Sequence, residues 1–153
     1  MKKIYVNEEY CINCHLCEVY CAVAHSESKD ILKAYKREKE RLVPRLVVEM
    51  ANPASLPVQC RQCEDPPCVE GCISGALVYD LTANIVTSNP DRCVGCWTCV
   101  ASCPFGAIHP VCLDGLKFSI KCDLCFDLEL EMPACVAACP NGALIYEEEQ
   151  EWQ

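Results

Sequence analysis

The chain has 153 residues and a formal net charge of −9 at pH 7, and only 7% of its residues are aromatic. Its length fits one compact domain or two small ones. The acidic balance argues against a nucleic-acid partner, because phosphates attract basic surfaces. Seventeen cysteines among 153 residues exceed the roughly 8–10% that marks a cross-linked or metal-binding scaffold.

The first predicted element is a strand at Lys3–Val6. The residues around it lack the apolar run of about 7–15 residues that a secretory signal needs, and no run in the chain approaches the ~18 residues of a membrane span. We therefore expect a cytoplasmic protein with no direct membrane insertion. Thiols stay reduced in that compartment, so we expect the cysteines to bind metal or carry redox chemistry and not to form disulfides.

The first group of four cysteines follows this strand and runs into a predicted helical turn at Val19–His25. The group reads CINCHLCEVYC and contains Cys11, Cys14, Cys17 and Cys21. Such a group is called a quartet below, and the chain contains four of them.

A basic segment, Lys29–Arg45, holds seven of the thirteen basic residues. One interpretation is a docking patch or a counter-charge for a metal site. The other interpretation is an amphipathic helix with Ile31, Leu32 and Tyr35 packed inward. We favour the second, because charged runs on helices are ordinarily solvated. A strand is predicted next, at Leu46–Met50.

The second and third quartets have a similar layout, and each is followed by a glycine. They read CRQCEDPPCVEGC and CVGCWTCVASC, with Cys60, Cys63, Cys68, Cys72, Cys93, Cys96, Cys99 and Cys103 as ligand candidates. After them the chain reads CISGALVY and CPFGAIHP, where a Gly-Ala step predicts a turn into a short strand. Helical turns are expected at Val69–Cys72 and Val100–Cys103, and further strands at Ile85–Thr87 and Lys117–Ile120.

The fourth quartet differs, because nine residues separate its second cysteine from its third. It consists of Cys122, Cys125, Cys135 and Cys139, and it ends in CPNGALIY, which repeats the Gly-Ala step. A helical turn is expected at Cys135–Cys139. Alternation of acidic and apolar side chains in the inserted segment predicts an extended loop with one apolar face. The alternating residues are Asp127, Leu128, Glu129, Leu130, Glu131 and Met132.

These repeats predict an α+β fold, with tandem ferredoxin-like β-α-β repeats around a small, loop-rich core. Residues 1–25 and 111–153 are expected to form an outer unit with quartets one and four. Residues 56–110 are expected to form an inner unit with quartets two and three. Residues 26–55 connect the two as a basic helix and a strand.

The spacing of the quartets indicates iron–sulfur clusters and not zinc. Structural zinc sites usually combine two cysteines from one loop with two ligands from another. Here each fourth cysteine stands four residues after the third, as in the ferredoxin run C-x2-C-x2-C-x3-C-P, whose fourth cysteine ligates the neighbouring cluster. Pro104 and Pro140 supply the trailing proline twice. Sixteen cysteines suit four 4Fe-4S clusters, and Cys112 is left over as a free thiol that we expect to be buried.

The chain resembles the four-cluster ferredoxin-type iron–sulfur subunits of dimethyl sulfoxide reductase, formate dehydrogenase, formate hydrogenlyase and carbon monoxide dehydrogenase. The resemblance runs from Tyr10 to Tyr146 and is carried by CINCHLCEVYCAVAHS, PVQCRQCEDPPCVEGC, CVGCWTCVASCPFGAI and KCDLC…PACVAACPNGAL. It is strongest to the partner of carbon monoxide dehydrogenase. In that family the fourth motif carries a long gap, which implies that quartet four is intact.

The resemblance also implies that quartets one and four exchange their last cysteines, as do quartets two and three. The ferredoxin crossover rule supports the same exchange. The implied ligand sets are Cys11, Cys14, Cys17 and Cys139 for cluster 1, Cys60, Cys63, Cys68 and Cys103 for cluster 2, Cys93, Cys96, Cys99 and Cys72 for cluster 3, and Cys122, Cys125, Cys135 and Cys21 for cluster 4.

Ligand saturation predicts electron transfer and not catalysis, because metal-centred catalysis needs an open coordination position. The chain also lacks a GxGxxG motif, a P-loop and a histidine–carboxylate metal cluster. The resemblance implies a subunit of an anaerobic oxidoreductase complex that relays single electrons between a catalytic enzyme and a second donor or acceptor protein. The expected enzyme is carbon monoxide dehydrogenase, with a hydrogenase or formate dehydrogenase as the alternative. The other interpretation is a freely diffusing polyferredoxin.

Overall fold

The computed structural model describes residues 2–128 and 130–148. The chain forms two compact units, the first made of Met1–Val58 and Leu124–Gln153, and the second of Gln59–Asp123. Glu129, one of the alternating residues of the inserted segment, lies outside the described residues. The predicted assignment of the quartets to an outer and an inner unit stays a prediction.

The described residues form five helices and eight strands. The helices are α1 Leu16–Ala24, α2 Ile31–Arg37, α3 Pro67–Glu70, α4 Thr98–Ser102 and α5 Ala134–Ala137. The strands are β1 Lys2–Val6, β2 Val47–Ala51, β3 Ala54–Val58, β4 Leu77–Asp80, β5 Ile85–Ser88, β6 Ile108–Leu113, β7 Leu116–Lys121 and β8 Leu144–Glu148. Short 3-10 turns occupy Glu8–Tyr10, Lys39–Arg41 and Pro90–Arg92.

The strands pair as four antiparallel sheets of two strands each. In the first unit β1 pairs with β8, from Lys2 opposite Glu148 to Val6 opposite Leu144, and β2 pairs with β3. In the second unit β4 pairs with β5 and β6 pairs with β7. A two-stranded sheet is marginally stable by itself. The segments that carry the cysteines must therefore complete the packing of both units.

The second unit contains a repeat of helix, strand, strand. α3 leads into the hairpin of β4 and β5, and α4 leads into the hairpin of β6 and β7. Between β6 and β7, Asp114 and Gly115 both have positive φ, 50° and 80°, as a type I′ turn requires. That turn reverses the chain within two residues. The Gly-Ala steps in this unit thus lead into antiparallel hairpins, and the tandem β-α-β repeat stays a prediction.

The core of the second unit consists of a few aliphatic side chains and two cysteines. Leu77, Val86 and Ile108 are at most 3% exposed and cluster with Cys68 and Cys99. Two proposed metal ligands thus belong to the hydrophobic core itself. Because metal binding and folding are coupled when the ligands lie in the core, we expect the unit to depend on its metal for stability.

α2 covers only seven residues of the basic segment, and its exposure differs from the prediction. The carboxylate of Asp30 caps the helix by accepting a hydrogen bond of 2.9 Å from the backbone N–H of Lys33. Ala34 is fully buried. The predicted inward packing of the larger side chains is wrong, because the helix packs through its smallest residue and turns its neighbours outward. These neighbours are exposed by 42%, 68% and 63%: Ile31, Leu32 and Tyr35.

Cys112, the cysteine outside the quartets, lies on β6 opposite Lys117 and is exposed. Its neighbour Val111 is buried. Successive side chains of a strand point to opposite faces, so the burial of Val111 places Cys112 on the outer face. The prediction of a buried thiol is wrong.

Candidate iron–sulfur centres

The third cysteine of every quartet occupies the second position of a short helix. These cysteines are only 8%, 7%, 7% and 3% exposed: Cys17 of α1, Cys68 of α3, Cys99 of α4 and Cys135 of α5. Helical φ and ψ fix the direction of the Cα–Cβ bond, which tilts toward the N-terminus of the helix. The fold therefore holds one buried thiol of each quartet on a regular element.

The loop between the first and second cysteines has the same backbone turn in all four quartets. The residue before the second cysteine always has a positive φ, which is uncommon outside glycine. The four residues and their angles are Asn13 at 57°, Gln62 at 49°, Gly95 at 66° and Leu124 at 59°. Quartet four shares this positive φ at Leu124, and its second cysteine, Cys125, has a positive φ as well, at 56°.

Gly95 shows why one of these turns needs glycine. A Cβ atom at this position would lie 2.6 Å from Lys117 Cβ and 2.9 Å from the Lys117 carbonyl oxygen. Real Cβ atoms do not approach other atoms so closely, and the obstructing atoms belong to β7 and cannot move away cheaply. The cysteine loop therefore packs its backbone directly on the strand.

The residue that precedes each short helix divides the quartets into two kinds. His15 and Trp97, in quartets one and three, have left-handed φ values of 58° and 61°. In quartets two and four the corresponding residues are Pro66 and Pro133. Each compact unit contains one helix of each kind. The layout of two different cysteine loops is thus repeated in both units.

The fourth cysteines of quartets two and four accept backbone hydrogen bonds at sulfur. The N–H of Leu77 lies 3.4 Å from Cys72 Sγ, and the N–H of Ala143 lies 3.2 Å from Cys139 Sγ. The two donor residues each follow a glycine turn, at Gly75 with φ 61° and at Gly142 with φ 64°. Donors to sulfur stabilise a thiolate and are one means of tuning a bound cluster.

Cys21 obtains its donor from a different part of the first unit. This cysteine lies inside α1, so no glycine turn follows it. The backbone N–H of Arg45 instead donates to its sulfur at 3.3 Å. The end of the basic segment is therefore fixed against one proposed ligand.

Two cavities are each lined by three cysteines of one quartet and the last cysteine of another. In the first unit, Cys11, Cys14, Cys17 and Cys139 line a cavity with about 350 Å³ of space that is partly open to solvent. In the second unit, Cys60, Cys63, Cys68 and Cys103 line one of about 330 Å³. Four sulfur donors on otherwise mainly apolar walls suit an iron–sulfur cluster, since soft thiolates are its ligands. The residues present therefore fit the group.

Cys72 and Cys96 also lie close together in the second unit. The Thr98 hydroxyl, 3.5 Å from Cys96 Sγ, lowers the pKa of that exposed thiol, while a charge on Cys72 acts in the opposite direction.

The four cysteines implied for cluster 4 are all buried, with exposures of 4%, 5%, 7% and 3%: Cys21, Cys122, Cys125 and Cys135.

Burial makes two of the helix cysteines poor thiolates until a metal binds. Desolvation raises the pKa of Cys17 to about 11 and that of Cys68 to about 11. Both thiols are protonated at neutral pH in the free chain. Iron must therefore displace these protons when it binds, as thiolate ligation of any metal requires.

Residues 52–149 match the family described as a 4Fe-4S dicluster domain, which is more than half of the chain. The chain belongs to this family. The match confirms the prediction of a ferredoxin-like iron–sulfur protein. An iron–sulfur protein of Rhodospirillum rubrum is 40% identical to this chain over an alignment of 154 positions. The alignment covers 92% of this chain and 79% of that protein.

Two relatives from Escherichia coli strain K12 also cover most of the dicluster protein. The electron transport protein HydN is 39% identical over 148 residues, which cover 88% of this chain and 81% of HydN. Protein NrfC is 34% identical over 147 residues, which cover 92% of this chain and 62% of NrfC. Within residues 2–128 and 130–148, no helix has the length and apolar character needed to cross a membrane.

Among the buried polar residues near the cysteines of the second unit are three that were not singled out as site residues: Gln62, Ser119 and Lys121. Cysteine spacing does not predict them, because their burial depends on tertiary contacts. The one signal in the sequence is position: Gln62 stands between two ligand candidates, and Lys121 stands immediately before Cys122.

Proposed function

We propose that this chain, a member of the 4Fe-4S dicluster family, is an electron-transfer protein that holds four 4Fe-4S clusters. The observation that carries the proposal is common to all four quartets: a positive φ before the second cysteine, and a third cysteine at the second position of a short helix. The proposed ligand sets are those of the crossover pairing, with cluster 1 at the first cavity and cluster 2 at the second. Each bound cluster would supply a centre that gains and loses one electron.

The chain itself contributes ligation, burial and hydrogen bonding. Sixteen cysteines fill every protein-derived position of four clusters, so no iron would be left open to a substrate. Backbone N–H groups of Leu77, Ala143 and Arg45 donate to ligand sulfurs. These features suit a carrier of electrons and not a catalyst.

We further propose that the chain is built of tandem ferredoxin-like units, one with quartets one and four and the other with quartets two and three. Cys139 lines a cavity with quartet one in the first unit, and Cys103 lines a cavity with quartet two in the second. Both pairings support this division.

The proposed partners are a catalytic redox enzyme and a second protein that donates or accepts electrons, in the cytoplasm. The name of HydN, an electron transport protein, supports the carrier role. For the enzyme we propose carbon monoxide dehydrogenase, or a hydrogenase or formate dehydrogenase in its place. This choice is supported by the resemblance of the cysteine motifs alone.

The charge distribution supports a dedicated partner over a freely diffusing carrier. The basic segment contains seven basic and three acidic residues, a net charge of +4, whereas the other 136 residues carry −13. Lys33, Lys36 and Arg37 are exposed on α2 beside the exposed Leu32 and Tyr35. An apolar patch within a basic rim suits a protein that presents an acidic surface around an apolar centre.

Reversible reduction of anaerobically purified protein tests this function. Dithionite in stoichiometric amount should bleach the visible absorbance, and ferricyanide in stoichiometric amount, which accepts one electron per molecule, should restore it without loss of iron. A protein with no redox response, or one that releases its iron on a single cycle, would contradict electron transfer. Affinity purification of the chain from its native cells then separates the two carrier types, since only a dedicated subunit retains a redox enzyme in stoichiometric amount.

A further inference from the structure

Lys121, the last residue of β7, is a charged side chain buried inside the second unit. It is only 2% exposed, and its Nζ donates a hydrogen bond of 2.8 Å to the carbonyl oxygen of Cys122. A lysine ammonium has three donors and a full positive charge, and one neutral carbonyl cannot balance that charge. A buried charge of this kind is costly unless an opposite charge lies nearby.

The same carbonyl oxygen accepts a second hydrogen bond, from the loop of quartet two. Gln62 Nε2 donates to it at 2.8 Å, and Gln62 Oε1 accepts from the backbone N–H of Val86 at 2.8 Å. Gln62 is 1% exposed and stands between Cys60 and Cys63. The buried ammonium is therefore tied, through one shared carbonyl, to the loop that supplies two ligands of cluster 2.

The charge of Lys121 lies close to this cysteine loop, because Gln62 and Lys121 donate to the same carbonyl oxygen. A charge acts strongly in the dry interior, where screening is weak.

Ser119 lies two residues earlier on the same face of β7 and approaches a ligand of cluster 3. Its Oγ is 3.3 Å from Cys99 Sγ, and the residue is 5% exposed. A cysteine that ligates iron has no proton to donate. With Cys99 as a ligand, the hydroxyl is the only possible donor of this hydrogen bond.

We propose that Lys121 and Ser119, on one face of β7, set the reduction potentials of clusters 2 and 3 separately. A reduced cluster carries one more negative charge than an oxidised one. A nearby positive charge or a hydrogen bond to sulfur stabilises the reduced state and raises the potential. Lys121 then raises the potential of cluster 2, and Ser119 raises that of cluster 3. The inference rests on the proposed ligand sets.

Anaerobic redox titration followed by EPR tests the proposal on the complete chain. Lys121→Met removes the charge at similar length and should lower one midpoint potential by at least a tenfold change in the reduction equilibrium, which is about 59 mV for one electron. Ser119→Ala should lower a different midpoint by a smaller, few-fold change. Lys121→Arg keeps the charge and should restore most of the shift. Lys2→Met removes an exposed lysine of β1 as the matched control, and should leave every midpoint in place.

Iron content is measured before each titration, so that failure of the proposed function and failure of the inference give different results. Wild-type protein without iron contradicts the proposed function. Intact iron with unchanged potentials in Lys121→Met, or both variants shifting the same signal, overturns the inference. If Lys121→Met loses iron, Lys121→Gln keeps a donor for the Cys122 carbonyl without the charge and gives the same comparison. Loss of iron in both shows a structural role and also overturns the inference.

Discussion

Replacing Gly95 with alanine adds one methyl group where a cysteine loop rests on β7. The added Cβ would lie 2.6 Å from Lys117 Cβ and 2.9 Å from the Lys117 carbonyl oxygen, at a residue with φ of 66°. Gly106→Ala is the matched control in the same unit. Its φ is 61°, but nothing lies within 4 Å of an added Cβ. The two variants share the strain of the backbone and differ only in the clash.

The backbone strain and the clash each add a free-energy cost. A non-glycine residue in the left-handed conformation costs about 1–2 kcal/mol, which applies to both variants. An extra methyl group in a packed site costs about 1–3 kcal/mol, and this applies to Gly95→Ala alone. If the whole cost of the clash lowers the activation barrier to cluster release, Gly95→Ala should lose its cluster about 5- to 150-fold faster than Gly106→Ala.

Decay of the visible absorbance of the anaerobic protein, in a fixed concentration of guanidinium, measures this rate. A kinetic readout is appropriate, because proteins with bound metal clusters do not unfold in a simple two-state manner. Equal rates for the two variants would refute the reasoning that the loop backbone packs directly on Lys117.

Three further predictions concern the ligands and the partner surface. Cys139→Ser should alter the EPR signal of the cluster that Cys11 helps to hold, and a change confined to the fourth-quartet cluster would refute the exchange of last cysteines. Cys112→Ser should leave the iron content unchanged, because the exposed thiol is proposed to ligate nothing, and lost iron would make it a ligand. Charge reversal of Lys33 and Lys36 to glutamate should keep the iron but weaken the binding of a co-purifying enzyme at least tenfold at low salt, with a smaller effect at high salt. Equal retention of the enzyme at low salt would remove the basic segment from the partner surface.

The cysteine loops could be located from the sequence, because the first three cysteines of quartets one to three lie within a short stretch of chain and quartet four keeps the same spacing at its two ends. The backbone conformation of these loops could not be predicted. Gln62 and Leu124 have positive φ, although neither residue type favours it. Only comparison with the same position in the other quartets, at Asn13 and Gly95, reveals the shared turn. The four turns share a position in the cysteine spacing and not a residue type.

The short helices were harder to place than the strands. The prediction for the second quartet begins at Val69, whereas α3 begins at Pro67. A helix of four residues is a single turn and has no periodicity that a sequence pattern could reveal. Proline at the first helical position is the local signal that marks this start.

Tertiary packing decided the features that sequence patterns misjudge. Ala34 and not Leu32 is buried on α2, because a two-turn helix can pack through one small residue. The Asp114-Gly115 step is a strong hairpin signal, and it marks the turn between β6 and β7 that the sequence analysis did not predict. The burial of Lys121 and Gln62 depends on a carbonyl shared across 60 residues of chain, which no local pattern records.

Determination of iron and acid-labile sulfide per chain, on anaerobically purified protein, tests the central claim most directly. Four clusters of four iron atoms each predict about sixteen iron and about sixteen sulfide. A value near twelve of each would contradict the claim that quartet four binds a cluster, although its turn and helix match the other three. Stoichiometric zinc without sulfide would contradict the assignment of iron–sulfur clusters altogether.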